Sequence, residues 1–108
     1  MKVVYIAGPY NHPDYLHGVQ ENITRASRIA LEYWRRGWAV VCPHMNTSGF
    51  HHAKDVPRET WIQGDLEILS RCDAILMIPG WTRSQGAKTE RNYALENGIE
   101  VLYYEGQG

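Results

Sequence analysis

The chain reads as an α/β fold: a three-layer sandwich in which helices cover both faces of a four- or five-stranded parallel sheet. Three observations predict it. Short apolar runs alternate with longer segments of helical period, and Pro or Gly ends most of the runs. The runs are apolar without alternation, as in strands covered on both faces. Their order, strand, helix, strand, helix, strand, helix, strand, is that of right-handed crossover units.

Residues 2–7 (KVVYIA) form the first such run, ended by Gly8-Pro9. After a loop from Tyr10 to about Gly18, Val19, Ile23, Ala26, Ala30 and Tyr33 recur at spacings of four and three, which predicts a helix ending near Gly37. Residues 38–42 (WAVVC) read as a second strand closed by Pro43, and residues 44–57 carry no period. So long a loop in a small domain favours a binding role. Residues 58–71 predict a second helix with Trp61, Ile62, Leu66, Ile68 and Leu69 inward, and residues 73–78 (DAILMI) a third strand. Pro79-Gly80-Trp81 turns the chain. A third helix follows over residues 85–97, Gly98 is placed to end it, and residues 100–104 supply the last strand. Sheets of this flavodoxin- or Rossmann-like kind bind ligands at the carboxyl ends of their strands, where the loops after residues 7, 42 and 78 all emerge.

The 108 residues suit a single domain spanning residues 1–108, with no repeat or linker. Eleven Lys and Arg against twelve Asp and Glu leave a net charge of −1, which disfavours a polymeric nucleic-acid partner. The first residues enter a strand directly and no apolar run approaches membrane length, so no membrane partner and a cytoplasmic location are expected. Four Trp and seven Tyr around a small core point to aromatic surface shared in a homodimer or larger oligomer. Cys42 and Cys72 lack disulfide-scaffold spacing and read as buried thiols.

Two carboxylates break the apolar stripes of the helices. Ala87, Glu90 and Ala94 share one stripe, so Glu90 faces the sheet among small residues. Trp61, Asp65, Ile68 and Cys72 share another, which turns Asp65 inward. An inward charge is costly unless it is paired or used. Glu90 lies near a helix start and is expected to stay ionised. Asp65 lies mid-helix, where burial favours the protonated form. Such a divided pair suits a nucleophile and an acid; the plainer alternative is that each bonds a neighbouring backbone amide or basic side chain.

The pattern Ser84-x-Gly86-x-x-x-Glu90-x-x-x-Ala94, preceded by Asp65 in a helix leading to Cys72-Asp73 and a strand, resembles the nucleoside 2-deoxyribosyltransferase superfamily. That superfamily includes the 2'-deoxynucleoside 5'-phosphate N-hydrolases. The opening Tyr5-Ile6-Ala7-Gly8-Pro9 matches its first strand and loop, and Gly80-Trp81 with Pro43-His44 is most similar to a group of short, often phage-encoded relatives. The resemblance implies cleavage or transfer of the N-glycosidic bond of a 2'-deoxynucleoside or its 5'-phosphate, with no cofactor and no metal. Glu90 would attack the anomeric carbon, Asp65 would meet the departing base or the sugar hydroxyls, and Tyr5 would orient Glu90. An inward anion is also what an oxocarbenium-like centre needs for stabilisation and capture.

The substrate-binding residues expected beside these are Gly8, Pro9, Asn22, His44, Trp81, Ser84 and Gly86. Ser84 matches a position that holds the 5'-phosphate in the nucleotide hydrolases, and equally suits a plain N-cap. Trp81 can stack on a base or pack over the sheet edge. Asn22 can reach the pocket or bond local backbone. The chain departs from the nucleotide hydrolases after the first strand: they carry Ser and Arg there, whereas this chain has Pro9, Tyr10, Asn11 and His12. Arg83, Arg58 or Lys54 are the cations able to substitute. His44, His51, His52 and Asp55 match no zinc spacing and are expected to line or lid the pocket. The rival readings are a non-catalytic module binding a nucleotide or nucleotide-sugar in the same pocket, and a phosphate-ester hydrolase using the His loop and a metal.

Overall fold

Four strands carry the architecture: β1 (Val3–Ala7), β2 (Ala39–Val41), β3 (Ala74–Met77) and β4 (Glu100–Tyr103). In the computed structural model, which describes residues 1–10, 18–46, 50 and 53–105, they form one parallel sheet in the order β2-β1-β3-β4. The helices are α1 (Gly18–Arg35), the short α2 (Pro43–Asn46), α3 (Arg58–Leu69) and α4 (Gln85–Glu96), with a single 3-10 turn at Trp81–Arg83. The fold class is the expected one, with the sheet at four strands. Among the described residues no helix is long and apolar enough to cross a membrane.

Strand alternation divides the core in two. Val4 and Ile6 of β1, with Ala74, Leu76 and Ile78 in and after β3, pack against Ala26, Ile29, Ala30 and Tyr33 of α1. Tyr5 and Ala7, with Ile75 and Met77, pack against Leu69 of α3 and Ala87 and Ala94 of α4. The β1 and β3 members of both clusters are almost fully buried. Each large aliphatic among them contributes roughly 1.5–3 kcal/mol of burial.

The helix ends follow the sequence signals closely. Gly37 (φ 93°) and Gly98 (φ 70°) take the left-handed conformation just beyond α1 and α4, where an L side chain would be strained. Ser84 caps α4 by accepting from the Ala87 amide at 3.1 Å.

Two expectations need correction. Residues 43–46, expected as the start of an aperiodic loop, form a helical turn in which the Met45 and Asn46 amides donate to the Cys42 carbonyl. Pro43 occupies its first position, where a missing amide costs nothing, and four residues are too few to establish a period. Cys42 and Cys72 are half-buried free thiols rather than fully buried ones, one packed against each core cluster and so on opposite faces of the sheet.

Candidate active site

A cavity of about 670 Å³ opens at the carboxyl ends of the strands. Its lining comes from the end of β1, from α2, from α3 and from the start of α4. This is the edge where a parallel sheet gathers its loops and helix starts.

Glu90 enters from α4. Ala87 and Ala94 are nearly inaccessible and let the helix lie close on the sheet, and Glu90 between them is half-buried at the cavity. Tyr5 rises from β1 with no exposed surface, and its hydroxyl donates to Glu90 Oε2 at 2.5 Å. Asp65 reaches the same cavity from α3 and is also half-buried.

The proton affinity of Glu90 departs from the sequence expectation. Burial pushes the Glu90 carboxyl up to about 7; the Tyr5 hydrogen bond works against this and the neighbouring Asp65 charge adds to it. Glu90 is the sixth residue of α4, beyond the four free amides of the first turn. Two of those amides are already taken by Ser84, Ala87 donating to its hydroxyl and Lys88 to its carbonyl. The helix start therefore gives Glu90 little help, because the dipole effect fades within one turn. Burial also raises Asp65, in the direction expected. The Tyr5 hydroxyl is driven far above its ordinary range, by burial first and then by the charges of Glu90 and Asp65, so it remains a donor.

The loops around the pair are fixed by close backbone approach. A Cβ on Gly8 would stand 2.3 Å from Ile78 Cγ1, so only glycine lets the chain leave β1 beside Ile78. Gly80 (φ 92°) has no room either: a Cβ there would meet Pro9 Cγ at 2.7 Å. His44 is 4% exposed, and its Nε2 donates to the Pro9 carbonyl at 2.8 Å. Burial lowers its pKa against the opposing backbone hydrogen bonds of Pro9 and Gly8, and its buried Nδ1 has no hydrogen-bond partner among the described residues.

Of the substrate-binding residues expected from sequence, Gly8, Pro9, His44, Ser84 and Gly86 line the cavity. Asn22 and Trp81 do not. Asn22 is buried and donates from Nδ2 to the Tyr10 carbonyl at 3.1 Å, bracing the loop from behind. Trp81 follows the left-handed turn at Gly80, which directs its ring over β4, 5.8 Å from Tyr103 and under the Arg91 guanidinium. Arg58 and Arg83 line the cavity and Lys54 does not. His51 and His52 lie outside the described residues, and among those described no group of three His, Cys, Asp or Glu is placed to hold a metal ion.

Sequence reasoning missed an aromatic wall. Phe50 and Trp61 stack with centroids 6.1 Å apart and planes at 24°, and both line the cavity. Trp61 was expected to face inward on the stripe it shares with Asp65, four residues on, and that shared stripe brings it to the cavity. Phe50 lies in the aperiodic stretch, where no pattern marks it.

Comparison with known proteins places this geometry in context. The chain matches no curated protein sequence. Among solved structures it is similar to the 2-deoxyribosyltransferase from Leishmania mexicana, with a TM-score of 0.66 and 19% identity over 96% of this chain and 64% of that one. It is also similar to the 2-deoxyribosyltransferase from the psychrotolerant bacterium Bacillus psychrosaccharolyticus, with a TM-score of 0.65 and 19% identity over 94% of this chain and 70% of that one. The chain thus spans less than two thirds of the Leishmania enzyme, and at this identity the likeness establishes a shared fold. The model of the family described as a domain of unknown function, DUF4406, matches residues 2–103, and the chain belongs to that family.

Proposed function

We propose that the chain cleaves or transfers the N-glycosidic bond of a 2'-deoxynucleoside or its 5'-phosphate through a glycosyl-enzyme on Glu90. The observation that carries this reading is the buried Tyr5 hydroxyl bonded to Glu90 in a cavity that also holds Asp65. The fold shared with two 2-deoxyribosyltransferases supports it.

Tyr5 holds Glu90 Oε2, leaving Oε1 to attack the anomeric carbon as the bond to the base nitrogen breaks. The bonding pair leaves with the base. Asp65, favoured in its protonated form by burial, gives the base its proton. Water or a second base then adds to the anomeric carbon, Asp65 takes up the released proton, and the carboxylate of Glu90 departs. The Phe50–Trp61 wall offers a flat apolar surface on which a base can stack.

Incubation with a panel of deoxynucleosides and deoxynucleotides tests the reading through released free base. Glu90→Gln should lower release by orders of magnitude while binding is largely retained. Asp65→Asn should slow turnover most for bases that leave poorly. A 2-fluoro-2-deoxyribosyl substrate should leave a sugar-mass adduct on Glu90. Full activity in Glu90→Gln, or an adduct elsewhere, overturns the assignment, and saturable binding with no turnover moves the chain to the reading as a non-catalytic nucleotide-binding module. A homodimer or larger assembly belongs to the same proposal; a monomeric mass by solution scattering at high concentration contradicts it.

A further inference from the structure

We propose that the cavity selects a 5'-phosphorylated deoxynucleoside over the free nucleoside, with Arg58 and Arg83 binding the phosphate. This rests on the glycosyl-transfer reading above and names its substrate class.

The two helices that supply the carboxylates repeat one arrangement. Arg58 opens α3 and Asp65 follows seven residues later; Arg83 stands just before α4 and Glu90 follows seven residues later. Seven residues are close to two helical turns, so Arg58 and Asp65 share a face, about 10 Å apart along the axis. Glu90 stands six residues beyond the Ser84 cap, about 9 Å into its helix. All four side chains line the cavity. Its wall is therefore cationic at the helix starts and carboxylic two turns deeper.

Both arginines are exposed, and neither guanidinium has an ion-pair or hydrogen-bond partner among the described residues. A neutral nucleoside would leave both unmatched. A 5'-phosphate answers them with a near-dianion, and it lies across the sugar ring from the anomeric carbon, as the cations lie away from Glu90. The α4 amides of Gln85 and Gly86, beside the phosphate so placed, likewise have no partner among the described residues. Meanwhile Pro9, where the loop after β1 meets the cavity, is closed to this role. Pro9 has no amide to donate, its carbonyl accepts from His44, and its ring packs where a Gly80 side chain would stand. Phosphate recognition thus falls to the starts of α3 and α4.

Isothermal titration of matched pairs, each deoxynucleoside against its 5'-monophosphate, tests this directly. The monophosphate should bind at least about tenfold more tightly, as expected for charge-assisted bonds to a phosphate. Arg83→Gln and Arg58→Gln should each remove about tenfold of that affinity while changing nucleoside affinity less than about twofold. Lys54→Gln, outside the cavity, controls for bulk charge and should change neither. Equal affinities within the pairs, no binding of any monophosphate, or variants that weaken both ligands alike would overturn the inference. Base release is scored separately. Tight monophosphate binding without release sinks the glycosyl reading and leaves the phosphate site standing; release from both members of a pair with equal affinities does the reverse.

Discussion

In the proposed reaction Glu90 and Tyr5 set the chemistry through one hydrogen bond, and each side of it is open to test. A nucleophilic carboxylate must be ionised, and Glu90 is held up at about 7. The kcat/KM for base release should therefore fall as pH drops through neutrality. Tyr5→Phe removes the one interaction that lowers this pKa, so the acid limb should move to higher pH as well as losing height. An unmoved limb would mean that Tyr5 does not act on Glu90. The same carboxyl has a stability consequence. Folded Glu90 keeps its proton up to about 7, whereas the unfolded chain releases it near 4.5. Between those values the native state binds more protons, so stability falls as pH rises and the loss is complete above 7. Glu90→Gln keeps an acceptor for Tyr5 and removes the buried charge. It should be more stable than the parent above pH 7 by on the order of 3 kcal/mol and no more stable below about pH 4.5, read by urea melts.

At the scale of elements, the site depends on how α4 and the end of β1 are seated. Ser84→Ala removes the cap on Ala87 and should cost about 1 kcal/mol. Gly8→Ala drives a methyl into Ile78 and should cost about 1–3 kcal/mol, with KM rising because the loop after β1 lines the cavity. Thermal melts and steady-state kinetics on both variants check this. Much of the fold was legible in the sequence because β1, α1 and α4 announce themselves locally, by an unbroken apolar run or by a stripe of small side chains. The inward turn of Glu90 and Asp65 was legible for the same reason. What escaped depends on distant parts of the chain. The direction of Trp81 follows from the turn at Gly80 and the presence of Tyr103 across the sheet edge. The proton affinity of Glu90 reflects a balance of burial against a hydroxyl 85 residues away. Phe50 stands at the cavity stacked on Trp61, with no period around it in the sequence to mark the fact.

Across the whole molecule the sheet sets the cluster under α1 apart from the proposed chemistry, with Ile6 as the member of that cluster that lines the cavity. Leu76 and Ile29 belong to the cluster under α1, and truncating either to Ala should cost about 2–5 kcal/mol. Below the melting range kcat/KM should stay near the parent value, because neither residue lines the cavity. Met77→Ala should cost a similar amount in the other cluster, and there the loss should reach activity, since Tyr5 packs in the same cluster and, in the proposed reaction, holds Glu90 for attack. Equal activity losses from both clusters would refute the division. If the division holds, heat tolerance and ligand preference vary independently in this fold. Substitutions at Val4, Ile29 and Leu76 alter how much heat the chain withstands, and substitutions at Phe50, Trp61 and Ile62 alter what it accepts. A lineage, or an engineer, can then change one property without reopening the other, because neighbouring side chains of a single strand point to opposite sides.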